Sequence, residues 1–348
     1  MNKLSVIIPA HNCRNTISRL LDSIVVQDYP DAEVIICDDW SEDGFMELVV
    51  PYMQMLNIVY LRAERHRIHC PGNTRRDGLA AARGEWVTFI DHDDEFMPRA
   101  FSSAFRAIEE HEEERLLVSR CSIVDNGTPV RESDAMTWLH GKFYNRKFLV
   151  GNGINFLEDM ESHEDLWFNS HVYAAVLDGG DGYTTLPVPT YNWIYNPASE
   201  SNKFNETDRM YIEEYMDDYL QAGTAAWLDL LERRPDLSED VRCEVISVLL
   251  YAYLYWQNII YRHAVSHTEL TGTAESSIKK HIGRVAAYGI TLGEIISRAY
   301  DHPQEFSALR DSAVQSLGPF VETQSCIDFF EKMADGSILP AEEDPENG

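Results

Sequence analysis

The stretch that decides the fold is Leu4-Ser-Val-Ile-Ile-Pro9, a short apolar and β-branched run that ends at a proline. Such a run is typical of a strand buried in a parallel sheet. Behind it, apolar residues recur at helical spacing between Ile17 and Val25, and either Asn12 or Asn15 could cap that helix. The sequence therefore opens with a buried strand followed by an amphipathic helix.

The same alternation continues along the chain. Further strands are predicted over residues 33–38, 57–61 and 86–90, and a helix follows in which Phe101, Ala104, Phe105 and Ile108 share one face. Strands that alternate with helices predict an α/β fold, with a mixed, mostly parallel sheet and helices on both faces. Ligands of such sheets bind at the carboxyl ends of the strands.

The character of the sequence changes near residue 205, where glycines and strand patterns become rare and helical patterns take over, as at 210–231 and 241–261. We therefore predict an α/β domain over residues 1–205 and a mainly helical domain over 206–338. The acidic, proline-containing segment 339–348 is expected to be a disordered tail.

Composition excludes several classes of partner. The chain has 29 Lys and Arg against 58 Asp and Glu, a net charge of −29. Such a charge repels nucleic acids and anionic bilayers, so we expect no nucleic-acid partner and at most a peripheral membrane association.

Six cysteines without paired spacing argue against a disulfide framework or a zinc knuckle. The N-terminus lacks the apolar region of a secretory signal, which predicts a cytoplasmic protein.

One segment calls for a membrane check, because residues 245–261 carry no charge over 17 positions. A transmembrane helix needs about 20 apolar residues, and this segment includes Ser247, Gln257 and Asn258. We expect a helix packed in a core or in the interface of a homo-oligomer.

Two acidic clusters directly follow predicted strands: Asp-Asp-Trp-Ser-Glu-Asp-Gly at 38–44 and Asp-His-Asp-Asp at 91–94. Both should lie at one rim of the sheet, where the carboxylates repel each other unless a cation or hydrogen-bond donors compensate. Oxygen ligands favour Mg²⁺ or Mn²⁺, which can neutralise a departing diphosphate. A D-x-D spacing is weak evidence by itself, since acidic turns after strands are mostly solvated.

Taken in order, these motifs resemble those of the family 2 glycosyltransferases, which use nucleotide sugars and have the GT-A fold. The matching segments are Ser-Val-Ile-Ile-Pro-Ala-His-Asn at 5–12, the clusters at 38–44 and 91–94, residues 75–86, and His-Glu-Asp-Leu-Trp-Phe at 163–168. The chain departs from the family pattern at Trp40, where a small residue is usual, and at Arg76, which replaces an asparagine. The resemblance covers about residues 4–200.

The resemblance implies roles for individual residues. Asp165 would be the general base, and Asp93 would hold a divalent metal, Mn²⁺ or Mg²⁺. The residues implied to bind the nucleotide sugar are Pro9, His11, Asn12, Asp38, Asp39, Arg75, Asp91 and Asp94. Trp138, His140 and Glu164 would contact the acceptor, and the stretch 191–199 could form a loop that closes over the diphosphate.

Two of these residues have alternative interpretations. Asp165 could instead cap the helix that begins near Leu166. Arg75 could be a partner for the acidic rim rather than a diphosphate clamp. The three aromatic residues around 138–144 are equally compatible with ordinary core packing.

The expected function is an inverting transfer of a sugar from a nucleotide-diphosphate sugar, by resemblance a UDP-sugar, to a hydroxyl of a saccharide or glycoconjugate. The helical domain would recognise the acceptor, drive homo-oligomerisation, or both. A nucleotidyltransferase that makes nucleotide sugars is an alternative, but residues 10–15 lack the expected glycine-rich phosphate loop. A non-catalytic nucleotide-sugar-binding or scaffold protein is a second alternative, which the presence of Asp93 and Asp165 disfavours.

Overall fold

A computed structural model describes residues 3–63, 66–111, 113–133, 137–160, 162–180, 182–196 and 209–238, together with Val241 and Val245. The chain divides into two compact units, Met1–Lys203 and Phe204–Gly348. The predictions for the uncharged segment 245–261 and for the tail 339–348 lie outside the described residues, apart from Val245, which is buried.

The first unit is built on a nine-stranded sheet. Its strands are β1 (Leu4–Ala10), β2 (Ala32–Asp38), β3 (Asn57–Arg62), β4 (Trp86–Phe89), β5 (Glu95–Phe96), β6 (Leu116–Asp125), β7 (Thr128–Ser133), β8 (Lys142–Asn145) and β9 (Thr184–Ile194). The order is β3-β2-β1-β4-β8-β6-β9-β5, with β7 paired to β6. Strands β1 to β4 pair in parallel, as do β6 and β9, while β8, β7 and β5 make antiparallel pairs. The mixed, mostly parallel sheet predicted from the sequence is confirmed.

The helices of this unit follow the strands in the predicted alternation. They are α1 (Ile17–Val25), α2 (Met46–Val49), α3 (Pro71–Ala81), α4 (Ala100–Glu110), α5 (Arg146–Gly151) and α6 (Glu164–Gly179), and a 3-10 turn, Val50–Gln54, continues α2. In the second unit, the helix predicted over 210–231 is present as α7 (Arg209–Arg233).

Helices cover both faces of the sheet. Successive side chains of a strand point to opposite faces. On one face, Val6 and Ile8 of β1 share a buried cluster with Leu20 of α1. On the other face, α3 approaches so closely that a Cβ at Gly78 would lie 2.5 Å from Cγ2 of Ile7. A larger residue at position 78 would push α3 away from β1.

The predicted cap of α1 is wrong in detail. The N-cap is Thr16, which makes no side-chain capping bond. Asn12 instead adopts a left-handed backbone (φ 47°), and its side-chain oxygen accepts a hydrogen bond from the backbone N–H of Glu42 at 2.9 Å. Asn12 is therefore used to join the loops after β1 and β2, which leaves it unable to cap the helix.

Candidate active site

The parallel register sets the place of the site. Ala10 at the end of β1 pairs with Asp38 at the end of β2, and β4 runs parallel to β1 on its other side. The segments that follow these three strands therefore meet at one edge of the sheet. Residues 11–12, 39–44 and 91–94 form this edge, which we call the carboxyl rim.

At the β2 end of the carboxyl rim, the acidic side chains are held by donors from the chain itself. Asp38 is buried, and its two oxygens accept hydrogen bonds from the backbone N–H of Ser41 at 2.8 Å and from the Tyr60 hydroxyl at 2.6 Å. Asp39 has one oxygen 2.9 Å from Nδ1 of His69. These bonds fix both carboxylates in place before any ligand arrives.

The neighbouring loops complete this end of the rim. Nδ1 of His11 lies 2.7 Å from the backbone oxygen of Asp39, and the rings of His11 and His69 are 6.2 Å apart. Trp40 has a left-handed backbone (φ 58°), and the guanidinium of Arg62 lies 4.0 Å from the centre of its ring. Pro9 is inside β1, paired with Cys37.

At the β4 end, one arginine joins two carboxylates from different elements. Arg75 of α3 donates from Nη1 to Oε1 of Glu164 and from Nη2 to Oδ1 of Asp91, both at 2.6 Å. Its side chain is only 6% exposed. Burial opposes ionisation of Asp91, but Arg75 and then His140 hold the pKa of that carboxyl well below its usual range.

A second group of side chains lies beside this pair. One oxygen each of Asp91 and Asp94 and one ring nitrogen of His140 lie within 4.8 Å of one another. Asp94 is buried, and it accepts hydrogen bonds from the Tyr191 hydroxyl at 2.6 Å and from the backbone N–H of Ile194 at 2.7 Å. Burial and then the charge of Asp91 raise the pKa of Asp94 well above its usual range.

Asp93, the predicted metal ligand, lies on the same loop. Its carboxylate accepts a hydrogen bond from the Asn196 side chain at 3.2 Å. The three atoms that the structure groups together belong to Asp91, Asp94 and His140 instead. The role of Asp93 therefore stays a prediction from the motif.

Asp165, the predicted base, lies in the first turn of α6. The helix begins at Glu164 and its N-cap is His163, so Asp165 is not the capping residue. One carboxylate oxygen of Asp165 accepts a hydrogen bond from the backbone N–H of Leu166 at 2.8 Å. Burial and then the charge of Glu164 raise the pKa of Asp165 to about 7. A carboxylate that is half ionised near neutral pH is well suited to accept a proton.

A small pocket brings the β4 end of the rim and the start of α6 together. It is lined by Arg75, Phe89, Ile90, Asp91, Leu139, His140, Asp165 and Tyr191. Four of the predicted site residues thus share one pocket: Asp165, Arg75, Asp91 and His140. Pro9, Asp38 and Asp39 lie elsewhere on the β1 and β2 side of the sheet edge.

Aromatic rings extend from this pocket. The ring of Trp138 lies 5.6 Å from His140 and 6.1 Å from Trp193, and His140 lies 4.7 Å from Tyr191. The expectation of a closing loop over 191–199 is wrong for its first part. Tyr191 and Trp193 belong to β9 and pair with β6, so the sheet fixes them.

Three contacts to predicted site residues could not be predicted from the sequence. Tyr191 holds Asp94, Tyr60 holds Asp38, and His69 holds Asp39. Between 22 and 97 positions separate the partners in the chain. The alternation of β3 indicates that Tyr60 faces one side of the sheet, but only the strand register shows what it meets there.

The fold and site together define a class of domain: a mostly parallel sheet whose carboxyl rim holds a pair of aspartates after β2 and a D-x-D loop after β4, with a helix beside them that carries a carboxyl of raised pKa. Residues 5–161 match the family described as glycosyl transferase family 2. These residues form a domain of this family, as the motifs predicted.

Two curated relatives illustrate the similarity. The poly(ribitol-phosphate) β-N-acetylglucosaminyltransferase TarS of Staphylococcus aureus (strain Mu50 / ATCC 700699) is 31% identical over 188 residues, which cover 50% of this chain and 33% of that protein. A poly(ribitol-phosphate) β-glucosyltransferase of Bacillus spizizenii is 27% identical over 186 residues, 49% of this chain and 29% of that protein. The match thus spans about a third of the length of each of these two relatives.

Solved structures show the same architecture. S. aureus TarS 1–349 in complex with UDP-GlcNAc superposes with a TM-score of 0.66 and 20% identity, covering 96% of this chain and 91% of that one. The complex of the same fragment with UDP gives a TM-score of 0.62, 21% identity and coverage of 91% and 92%. At such identities the likeness shows the GT-A fold, which confirms the predicted fold class.

Proposed function

We propose that this chain transfers a sugar from a UDP-sugar to a hydroxyl of a saccharide or glycoconjugate acceptor, with inversion at the anomeric carbon. The observation that carries the proposal is the pocket in which Asp165, with its pKa raised to about 7, faces the D-x-D loop through Asp91. The relatives named as glycosyltransferases and the UDP-bound structures of similar fold support the choice of donor.

Asp165 would act as the general base. An ionised carboxylate at the acceptor side of the pocket can take the proton of the attacking hydroxyl while the nucleoside diphosphate leaves from the opposite face of the sugar. This in-line displacement inverts the anomeric centre. A single positioned carboxylate is sufficient for it.

The donor set fits a divalent cation. Asp91 and Asp94 offer oxygens, and His140 offers a ring nitrogen, with its Nε2 3.9 Å from Oδ2 of Asp91. The other ring nitrogen, Nδ1, is buried and has no hydrogen-bond partner among the described residues. Burial and then the charge of Asp91 raise the pKa of Asp94, and a cation would relieve the repulsion between the two carboxylates. Asp91, Asp94 and His140, with Asp93 from the motif, would hold Mn²⁺ or Mg²⁺, whose chemistry when bound is to neutralise the charge on the departing diphosphate.

The β2 end of the rim would bind the nucleotide. Asp39 and His11 lie together there, and Asp38 is held in place by Ser41 and Tyr60, as a preformed site requires. We assign the base and ribose to this end, and the diphosphate to the D-x-D loop.

The aromatic rings of Trp138 and His140, backed by Trp193, would contact the acceptor together with Glu164. Aromatic rings offer apolar faces to sugar rings. Among the described residues, no helix combines the length and apolarity that crossing a bilayer requires. From the sequence we also propose a cytoplasmic location and a homo-oligomer contact through the helices predicted after residue 205.

A thermal-shift screen tests the proposal. UDP and UDP-sugars are expected to raise the melting temperature, and more so with Mn²⁺ than with EDTA, because a ligand of the folded state stabilises it in proportion to its affinity. GDP and ADP serve as matched controls. Release of UDP from the best donor then measures turnover. Release of pyrophosphate from UTP and a sugar 1-phosphate, without turnover of UDP-sugars, would favour the nucleotidyltransferase alternative.

A further inference from the structure

Helix α3 holds the segment that precedes and includes the base. Nη1 of Arg76 donates to the backbone oxygen of Phe156 at 3.1 Å. Asn73 accepts from the backbone N–H of Asp159 at 2.9 Å and donates to its carboxylate at 3.2 Å. Polar contacts from one helix therefore fix the loop between α5 and α6.

The first turn of α3 also lies directly against the start of α6. A Cβ at Gly72 would lie 3.0 Å from the Cβ of Glu164. The close approach at this glycine brings the backbone of α3 within reach of the residue next to the base. A movement of α3 would therefore be transmitted to Asp165.

Arg75 is the residue that links this contact to the donor side. Its two terminal nitrogens bind Glu164 on α6 and Asp91 on the D-x-D loop. These two carboxylates come from elements 73 positions apart in sequence, and no other described residue makes an ion pair to both. The guanidinium is planar, so its two contacts fix the relative position of the two carboxylates.

A diphosphate clamp would need at least one of these nitrogens to face the ligand. In this structure both terminal nitrogens are engaged, and the side chain is 6% exposed. The guanidinium keeps further N–H groups, and its Nε is buried without a hydrogen-bond partner among the described residues. A phosphate that approached them would be repelled by Asp91 and Glu164, which already contact the guanidinium at 2.6 Å and offset its charge.

We propose that Arg75 is a positioning residue, which fixes Glu164 and Asp165 relative to Asp91 so that the acceptor hydroxyl and the donor sugar meet in line. This inference rests on the proposed function. It predicts that loss of Arg75 lowers the turnover number while leaving affinity for the nucleotide nearly intact, since a small misalignment of reacting groups is costly for the chemical step.

The test compares Arg75→Met with Arg75→Lys, and uses Arg83→Met as a matched control on an exposed arginine just beyond the end of α3. Affinity for UDP with Mn²⁺ is measured by calorimetry, and turnover as UDP release from the donor chosen by the thermal-shift screen. For Arg75→Met we expect kcat to fall about 100-fold and the Kd for UDP to change less than about threefold. Arg75→Lys should recover about tenfold of the lost rate, because an ammonium keeps the charge but not the two-pronged geometry.

Three results would overturn the proposal. A loss of UDP affinity as large as the loss of rate would make Arg75 a diphosphate ligand. Unchanged turnover in Arg75→Met would make it dispensable, and an equal effect of Arg83→Met would make the change non-specific. If Arg75→Met does not fold, the same criteria apply to Arg75→Lys.

A readout without turnover separates this inference from the proposed function. In a crystal structure of Arg75→Met with UDP, Glu164 should lie at least about 1 Å further from Asp91 than in the wild-type complex, because two carboxylates repel each other once the cation between them is removed. An unmoved Glu164 contradicts the positioning role. Absence of turnover by the wild-type protein with every UDP-sugar contradicts the proposed function instead.

Discussion

The acidic residues at the two ends of the carboxyl rim lie in different electrostatic environments. At the β2 end, Asp38 and Asp39 are each met by donors from the chain: a backbone N–H, a tyrosine hydroxyl and a histidine ring. At the β4 end, Asp91 and Glu164 share one arginine, Asp165 lines the same pocket, and Asp94 keeps a raised pKa although Tyr191 and the backbone N–H of Ile194 donate to it. Hydrogen-bond donors therefore fix the carboxylates at the β2 end, whereas two carboxyl groups at the β4 end have raised pKa values.

This difference indicates where the chemistry takes place. Burial, and after it repulsion from a neighbouring carboxylate, raises the pKa of Asp165 to about 7 and that of Asp94 well above its usual range. Groups with displaced pKa values cluster at catalytic sites, because proton transfer near neutral pH requires them.

Replacing the base should have the largest effect. Asp165→Asn is expected to lower turnover by about 100-fold or more and to leave donor affinity near that of the wild type, because the amide keeps the shape but cannot take a proton. Turnover is followed as UDP release, and affinity by calorimetric titration of UDP.

Glu164→Gln is the matched control, since it changes the neighbouring carboxyl of the same helix turn. If Glu164→Gln abolishes activity and Asp165→Asn does not, the base is Glu164. If both variants keep full activity, the start of α6 is structural and the proposed mechanism is wrong.

The pH dependence follows from the same residue. Only the ionised form of Asp165 can accept a proton, so with a pKa of about 7 the turnover number should fall about tenfold for each pH unit below that value. The charge of Glu164 raises the pKa of Asp165, so Glu164→Gln should move this acid limb to lower pH. A rate profile between pH 5 and pH 9, about two units either side of that pKa, measures both effects. A limb that does not move in Glu164→Gln would contradict the coupling.

Metal binding tests which residues are the ligands: Asp93, as the motif predicts, or His140, which the structure groups with Asp91 and Asp94. Asp93→Ala is expected to abolish the Mn²⁺-dependent part of UDP binding, and His140→Ala to weaken it by about tenfold, since each removes one ligand. Calorimetric titration of UDP with Mn²⁺ and with EDTA measures that part. Normal binding by Asp93→Ala, with loss of binding by His140→Ala, would assign the metal to Asp91, Asp94 and His140 without Asp93.

The first four strands, their alternation with helices, and the grouping of motifs at one rim could be predicted from the sequence, because apolar runs such as 4–9 leave a strong local pattern. Strands β5 to β9 were not predicted. The partners within the site could not be predicted either. Arg75 meets Glu164 across 89 positions, and Tyr191 meets Asp94 across 97. Such contacts depend on strand register and helix packing, which local patterns do not encode.

The cap of α1 shows the same limit at short range. Asn12 is a good capping residue by type, but a competing hydrogen bond to Glu42 from the loop after β2 takes its side chain. The metal site shows the same limit of sequence-based prediction. The motif indicates Asp93 as the ligand, whereas the structure brings His140 close to Asp91 and Asp94. In both cases a distant element supplies the partner.

A fourth prediction concerns stability at the β4 end. The folded-state pKa of Asp165, about 7, lies above its unfolded value, so its contribution to stability is full below the unfolded pKa and is lost as pH rises through about 7. An asparagine at position 165 does not ionise, so Asp165→Asn avoids this loss of stability at high pH. The variant should melt a few degrees higher than the wild type at about pH 8, and at the same temperature at about pH 4. A difference in melting temperature that does not depend on pH would mean that the charge of Asp165 does not destabilise the folded state.

The smallest effect is expected at the β2 end, and it has the opposite sign. Tyr60→Phe removes the hydroxyl that donates to Asp38 at 2.6 Å and leaves a buried carboxylate oxygen without that donor. Hydrogen bonds to charged groups contribute about 1.5–3 kcal/mol, so the melting temperature should fall by several degrees, while UDP affinity should change less than about threefold.

Tyr52→Phe is the control, because Tyr52 makes a similar bond of 2.7 Å to Asp22 at an exposed position, where water can replace the lost donor. Thermal melts of both variants and calorimetry with UDP measure the two quantities. If Tyr60→Phe melts no lower than Tyr52→Phe, the β2 end is not stabilised by its internal donors, and the contrast between the two ends of the rim fails.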